Sequence, residues 1–261
     1  HHNTADRHLP GRSILTGQRG VIIGEGKHVG GPGTLPVVFV ELRHLGIPQE
    51  HDFHAGGRHS PLPRKNGLRE PAKLGIDHGG LAYWVAAVRE CFEEAGVLLA
   101  SPRHGGPLTL RNEDRHEVHD SSLSLVELCR RDDLVLDLST THYVDHWITP
   151  VGEQRRFDTR FFLTEMPDDQ EPLHDDKETV DSLWVRPGTA LDMQAAGELT
   201  MMPPTMANLR FLLPHESADA ALAAGAAVDR PACTLPKLLR DESGRIVGVS
   251  MPGDPGYDDL D

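Results

Sequence analysis

The stretch of sequence that decides the fold is Arg89–Val97, which reads RECFEEAGV. It contains three glutamates at the spacing i, i+3 and i+4, and these are Glu90, Glu93 and Glu94. Apolar residues continue the same helical period on its N-terminal side, and Gly96 supplies a residue that readily adopts the left-handed conformation after a helix. The sequence therefore predicts a helix over residues 81–95 that ends at Gly96.

The predicted helix has two opposite faces. With Leu81 set to 0° and 100° per residue, the apolar side chains fall between about −60° and +40°. They are Leu81, Trp84, Val85, Val88, Phe92 and Ala95. The three glutamates fall at about 120–220° on the same wheel. We expect the apolar face to pack against a sheet, with Trp84 and Phe92 buried.

The glutamate face has two interpretations. Carboxylates at i, i+3 and i+4 repel one another, which costs a bare helix a few tenths of a kcal/mol per pair. A site for hard divalent cations would make use of that charge, because Mg²⁺ prefers oxygen ligands. The alternative is an acidic face that is simply exposed to solvent.

The sequence Arg89–Val97 also fits the pattern Arg-Glu-U-x-Glu-Glu-x-Gly-U, in which U is apolar. This resembles the core of the Nudix box, the signature of the Nudix hydrolase family. The complete box has an earlier glycine and an earlier glutamate, and the corresponding positions hold Gly75 and Leu81. Either that glutamate is absent, or a loop over residues 58–80 is inserted. We favour the insertion, because Phe53–Gly57 resembles the family's Phe-Pro-Gly-Gly turn.

Further segments resemble one branch of this family, which contains the peroxisomal acyl-CoA diphosphatases and uncharacterised bacterial relatives. The segments are Trp147–Pro150, Arg155–Phe162, Glu178, Trp184–Val185, Pro203–Thr205 and Met251–Tyr257. The resemblance covers about residues 81–257, and the stretch 15–80 matches poorly.

The resemblance implies a reaction. Nudix enzymes hydrolyse a nucleoside diphosphate linked to another group, with water attacking phosphorus and bound Mg²⁺ or Mn²⁺ assisting. The substrate implied by the branch is CoA or acyl-CoA, with 3′,5′-ADP and (acyl-)phosphopantetheine as products. The alternatives are a nucleotide-sugar or dinucleotide diphosphatase, and a catalytically inactive Nudix module that binds a nucleotide or a protein.

The resemblance also implies roles for the residues of the box. By position, Glu90 and Glu94 are metal ligands, and Glu93 is a ligand or a base. Arg89 holds a glutamate in place through a forked ion pair. Together, Arg89, Glu90 and Glu93 are the predicted catalytic residues.

Other residues are candidates for the rest of the site. Gly57 would offer its carbonyl oxygen to the metal. Glu178 would add a carboxylate from a later loop, with Asp175 and Asp176 as alternatives. Arg156 and Arg160 share one face of a predicted strand and are candidate contacts to substrate phosphate. Cys91 borders the apolar face, and we expect it to serve packing.

Composition excludes several classes of protein. The 261 residues carry a formal net charge of −14, which argues against nucleic acid as the main partner and leaves a small-molecule diphosphate substrate open. Three scattered cysteines make neither a disulfide framework nor a Cys-x-x-Cys metal site. No run of about 18 apolar residues predicts a membrane span. We therefore expect a cytoplasmic protein, and the sequence leaves its oligomeric state open.

The order of predicted elements indicates an α/β (α+β) fold. Helices and strands alternate, so we expect a Nudix-like mixed sheet between helices, with a helical insertion around residues 101–135. Residues 1–14 are expected to be disordered or tag-derived, and residues 15–257 to form a single domain. Strands are predicted at residues 36–42, 143–149, 156–163 and 245–251, and helices at 121–131 and 203–213.

Overall fold

The computed structural model describes residues 37–44, 73–74, 80–153, 155–170 and 185–260. Its strands are β1 (Val37–His44), β2 (Ala100–Pro102), β3 (Leu134–Leu136), β4 (His142–Ile148), β5 (Asp158–Glu165), β6 (Cys233–Thr234), β7 (Lys237–Arg240) and β8 (Ile246–Ser250). Its helices are α1 (Gly80–Ala95), α2 (Asp114–His119), α3 (Leu125–Arg131), α4 (Pro187–Ala195), α5 (Pro203–Leu212) and α6 (Ala218–Ala227). No helix of the described residues is long and apolar enough to cross a membrane.

The central sheet has four strands in the order β1–β5–β4–β6. Strand β5 runs antiparallel to both β1 and β4, whereas β6 runs parallel to β4, so the sheet is mixed as predicted. In this register Phe162 lies between Val40 of β1 and Tyr143 of β4. The strands β2 and β3 form a second, small antiparallel pair, and β7 and β8 form a third.

Helices pack on both faces of the central sheet. Successive side chains of β5 point to opposite faces, so neighbouring residues of this strand contact different helices. Phe162 packs with α1 in the larger apolar cluster, which also contains Trp84, Phe92 and Tyr143. Its neighbour Phe161 packs in a separate cluster with residues of α5 and α6. The prediction of a mixed sheet between helices is confirmed.

Helix α6 packs closely on the sheet at Gly225, because its sequence consists almost entirely of small residues. It reads ADAALAAGAA, and a Cβ atom added at Gly225 would lie 3.2 Å from Val144 Cγ1 and 3.3 Å from Leu163 Cδ2. Small residues on the inner face of the helix therefore fix the helix–sheet distance.

The predicted element bounds hold with small shifts. Helix α1 begins one residue earlier than predicted, and Gly96 ends it with a φ of +70°. The insertion around residues 101–135 contains two helices; α3 begins at Leu125 rather than at residue 121, because Ser124 caps it. The predicted glycine turn Phe53–Gly57, the inserted loop 58–80 except residues 73–74 and 80, and residues 1–14 lie outside the described residues.

Candidate active site on helix α1

The apolar face of α1 is anchored to the sheet at its N-terminal end. Trp84 is 2% exposed, and its Nε1 donates a hydrogen bond to the carbonyl oxygen of Thr141 at 3.0 Å. Its ring meets that of Phe162 edge-on, with centroids 5.1 Å apart. Phe92, two turns later, is also 2% exposed. The predicted burial of both aromatic residues is confirmed, and it sets the rotation of the helix about its axis.

That rotation directs the three glutamates away from the apolar face, but not into open solvent. Glu90, Glu93 and Glu94 are only 7%, 3% and 4% exposed. The alternative of a solvent-exposed acidic face is therefore wrong. Burying three carboxylates on one helix turn is costly unless cations or hydrogen bonds compensate them.

Arg89 supplies one such compensation. Its Nη1 donates to Glu93 Oε1 at 2.8 Å, and its Nη2 donates to Glu90 Oε1 at 2.5 Å. The sequence predicted that this arginine holds one glutamate; in the structure the fork holds two. The rigid, planar guanidinium thereby fixes the orientation of both carboxylates relative to each other.

A second cation comes from the insertion. Arg115 of α2 donates from Nε to the backbone carbonyl of Glu93 at 3.0 Å. Its guanidinium also lies 3.3 Å from where a Cβ atom of Gly96 would stand, so it sits over the C-terminal end of α1. A cation there is favoured by the helix dipole. Arg115 could not be predicted as part of this site from the sequence, because nothing in its local pattern signals a contact 22 residues away.

Cys91 lies in the same environment and is 4% exposed. Burial and, to a lesser degree, the negative charge of Glu94 raise the pKa of its thiol to about 12, against the opposing effect of Arg115. The thiol therefore stays protonated near neutral pH, which makes it a poor nucleophile. The expectation that Cys91 serves packing agrees with this.

The donor chemistry of this face suits a hard divalent cation. Glu90, Glu93 and Glu94 offer carboxylate oxygens, and such oxygens are the ligands that Mg²⁺ prefers. Among the residues that the structure describes, no group of three or more His, Cys, Asp or Glu side chains is placed to hold a metal ion, so the predicted ligand set of Glu90, Glu93 and Glu94 stays a prediction. The other predicted metal-binding positions, Gly57, Asp175, Asp176 and Glu178, lie outside the described residues.

The two candidate phosphate-binding arginines are not together. Arg156 precedes β5 instead of lying within it; it is exposed, and its Nε donates to the carbonyl oxygen of Thr149 at 3.0 Å. The expectation that it shares a strand face with Arg160 is wrong, because the strand begins at Asp158. Arg156 lies instead in the connection between β4 and β5, of which the structure describes residues 149–153 and 155–157.

Arg160 is buried on the α1 side of the sheet. It is 9% exposed, and its Nη1 donates to Asp158 Oδ1 at 2.8 Å. Its guanidinium carbon stands 4.7 Å from the ring centroid of Tyr83, at the start of α1. His146 Nε2 makes a 2.6 Å contact with the same Asp158 oxygen. Of the polar group formed by Arg160, Asp158 and His146, only Arg160 was predicted from the sequence. The contacts among the three depend on the pairing of β4 with β5.

The family model of the NUDT19 Nudix domain matches residues 66–212, which include the whole of α1. Acyl-coenzyme A diphosphatase NUDT19 from Homo sapiens is 31% identical over 193 residues, which are 68% of this chain and 51% of the human protein. Acyl-coenzyme A diphosphatase NUDT19 from Gallus gallus is 30% identical over 172 residues, 57% of this chain and 44% of that protein. The chain spans about half the length of these curated relatives.

A solved structure gives independent support for the fold. It is the crystal structure of a NUDIX hydrolase from Alicyclobacillus acidocaldarius, with a TM-score of 0.54 and 23% identity. The match covers 78% of this chain and 93% of that chain. The family model, which covers more than half of the residues, shows that this chain belongs to the NUDT19 group of the Nudix hydrolase family.

Proposed function

We propose that this protein hydrolyses the diphosphate bond of CoA or an acyl-CoA, with water as the attacking group. The observation that carries the proposal is the buried face of α1, on which Arg89 holds Glu90 and Glu93 while Glu94 lies one turn beyond Glu90. Three carboxylates in a largely dehydrated position serve no packing purpose. The presence of these three buried carboxylates fits a site that needs concentrated negative charge.

We infer that Glu90 and Glu94 hold Mg²⁺ or Mn²⁺, with Glu93 as a further ligand or as the base. A divalent cation bound here neutralises phosphate oxygens and lowers the pKa of the attacking water. Gly57 and Glu178 are the proposed further ligands. Leu81, which occupies the position of the box glutamate if no loop is inserted, packs partly buried against the core cluster of α1 and takes no part in this chemistry.

Arg89 and Arg160 have different proposed tasks. Arg89 orients carboxylates and does not contact substrate. Arg160 uses Nη1 on Asp158 and presents a buried cation beside the Tyr83 ring, which suits a substrate phosphate. Arg156 is the weaker candidate for substrate contact, because it is exposed and outside the strand.

The choice of CoA or acyl-CoA rests on the two relatives described above, both of which bear the name acyl-coenzyme A diphosphatase. A panel of CoA, acyl-CoA, ADP-ribose, NADH, a nucleotide sugar and diadenosine polyphosphates, each with Mg²⁺ and Mn²⁺, tests it. We expect CoA compounds to be cleaved fastest, to 3′,5′-ADP and (acyl-)phosphopantetheine. Faster cleavage of a nucleotide sugar or dinucleotide would replace the substrate assignment, and no cleavage of any compound would favour an inactive binding module.

The metal face is tested by charge removal. Glu90→Gln and Glu94→Gln should each lower kcat by orders of magnitude, because each removes an anionic metal ligand. They should also reduce the rise in melting temperature that Mg²⁺ gives the unaltered protein, since a ligand of the folded state stabilises it. Glu242→Gln is the matched control, because Glu242 is exposed in the turn between β7 and β8. Unchanged activity in both variants would refute the assignment.

The attacking group is tested by isotope labelling. Hydrolysis in ¹⁸O-water should place the label on one product phosphate in a single turnover, because water rather than a side chain attacks phosphorus. Cys91→Ser should remain active for the same reason. A product without label would contradict direct attack by water.

A further inference from the structure

The polar group of Arg160, Asp158 and His146 has Asp158 at its centre. One carboxylate oxygen of Asp158, Oδ1, accepts hydrogen bonds from Arg160 Nη1 at 2.8 Å and from His146 Nε2 at 2.6 Å. Burial acts to raise the pKa of Asp158, but the hydrogen bond from His146 and the charge of Arg160 hold it below its usual value. Asp158 is therefore ionised at neutral pH and anchors both neighbours. The nearby carboxylate of Asp145 is bound separately, by Trp147 Nε1 at 2.6 Å.

One buried donor of Arg160 has no acceptor among the described residues. Nη1 is bound to Asp158, whereas Nε is buried and finds no hydrogen-bond partner there. The residue as a whole is 9% exposed, and its guanidinium lies over the ring of Tyr83. A buried donor without a partner is costly, and the edge of a guanidinium binds phosphate oxygens through two parallel hydrogen bonds. The edge formed by Nε and Nη2 therefore suits an anionic group of a ligand.

This position is separate from the glutamates of α1. Tyr83 and Glu90 lie on the same side of the helix, at about 200° and 180° on the wheel. They are about two turns apart, which is about 10 Å along the helix axis. The two phosphorus atoms of a diphosphate share a bridging oxygen and lie much closer together than that. A diphosphate held at Glu90 and Glu94 therefore leaves Arg160 to another anionic group of the same molecule.

We propose that Arg160, positioned by Asp158, binds a phosphate monoester of the substrate that is not cleaved, which in a CoA compound is the 3′-phosphate of the ribose. The choice of the 3′-phosphate rests on the proposed function, because it takes CoA as the substrate. The ribose joins this phosphate to the diphosphate, so both groups can lie along the same side of α1. Asp158 itself repels an anion, and its contribution is the orientation of Arg160.

Calorimetric titration with 3′,5′-ADP and with 5′-AMP, which lacks the 3′-phosphate, tests the site without turnover. The unaltered protein should bind 3′,5′-ADP at least about tenfold more tightly, as expected for hydrogen bonds between charged groups. Arg160→Met should abolish this preference and leave the affinity for 5′-AMP nearly unchanged, with folding checked by circular dichroism. Arg245→Met is the matched control and should keep the preference, because Arg245 also pairs with an aspartate, Asp241, but in the exposed turn between β7 and β8.

Three results of this titration would overturn the proposal. They are no binding of 3′,5′-ADP, equal affinities for the two nucleotides in the unaltered protein, and a preference that survives in Arg160→Met.

The role of Asp158 is tested by the sign of the change in affinity. Removal of a carboxylate beside a bound anion should strengthen binding if charge alone decides. Asp158→Asn should instead weaken the binding of 3′,5′-ADP several-fold and leave that of 5′-AMP unchanged, because Arg160 loses its anchor. Tighter binding of 3′,5′-ADP would refute the positioning role. This variant also tests the site if Arg160→Met does not fold.

Turnover of CoA and of 3′-dephospho-CoA separates this proposal from the proposed function. Arg160→Met should raise KM for CoA to near the value for 3′-dephospho-CoA, while kcat stays similar for both compounds. Cleavage of neither compound would refute the proposed function, and the affinities for 3′,5′-ADP and 5′-AMP would still decide the site at Arg160. Equal KM values for the two compounds in the unaltered protein would remove the 3′-phosphate from this site.

Discussion

The substitution Asp114→Asn, in the insertion, should destabilise the protein far more than an exposed carboxylate would. Asp114 begins α2, has no exposed surface, and accepts hydrogen bonds from two arginines. Arg131 donates to it from Nη1 and Nη2 at 2.8 and 2.7 Å, and Arg111 from its backbone N and from Nε, both at 2.8 Å. Asparagine keeps the size of the side chain but loses the charge and one acceptor.

The magnitude follows from the pKa. Burial alone would raise the pKa of Asp114, but the hydrogen bonds from Arg131 and Arg111 hold it at about 2, below its usual 3.8. One pKa unit corresponds to 1.36 kcal/mol, so the network contributes about 2 kcal/mol at neutral pH. Screening of the partly exposed arginines makes this an upper value for the charge effect. Because the folded-state pKa is depressed, the contribution is complete above about pH 4 and is lost as pH falls towards 2.

Urea unfolding at several pH values, followed by circular dichroism, measures this effect. At pH 7, Asp114→Asn should lower the unfolding free energy by about 2 kcal/mol, and the difference from the unaltered protein should shrink as pH falls from about 4 towards 2. Asp258→Asn, at an exposed position near the C-terminus, is the control and should cost less than about 0.5 kcal/mol. A loss below that value for Asp114→Asn, or one independent of pH, would show that the two arginines do not stabilise the carboxylate.

Three further predictions concern α1 and its contacts. Phe92→Ala should cost about 3–5 kcal/mol in unfolding free energy, measured by urea titration, because it empties a buried position. Arg89→Lys should lower kcat with little change in KM, since one ammonium cannot replace the fork that holds Glu90 and Glu93; an unchanged kcat would exclude an orienting role. Arg160→Met should raise KM for CoA more than it lowers kcat, and identical kinetics would remove it from the substrate site.

The helix at the centre of the site could be predicted almost completely from the sequence. A long apolar period, an opposite carboxylate face and a glycine at the end all agree on α1, and each signal is local. The mixed sheet followed from alternating elements. The shift of β5 to Asp158 was not predicted, because Arg156 and Phe157 continue the turn: the backbone N of Phe157 donates to Thr149 Oγ1 at 3.0 Å. Sequence alternation alone does not distinguish such an extended turn from a strand.

Long-range contacts account for the rest of what was missed. Helix α2 has six residues, of which only Asp114 and Val118 are buried. This is too short an amphipathic pattern to predict the helix from the sequence. It is held by Arg131 of α3, 17 residues away, and it delivers Arg115 to the end of α1. The insertion therefore has a physical connection to the glutamate face that its own sequence does not reveal.

The burial of the glutamates was the most informative difference from expectation. A helical wheel assigns a side chain to a face, but what covers that face is a property of the whole fold. Three carboxylates that are at most 7% exposed must be compensated; Arg89 binds the carboxylates of Glu90 and Glu93, and Arg115 donates to the backbone carbonyl of Glu93. Both arginines also contact Glu93, one through its side chain and one through its carbonyl oxygen. A shift of α2 would therefore move Arg115 and disturb its hydrogen bond to the backbone carbonyl of Glu93. This contact couples the stability of the insertion to the geometry of the proposed active site.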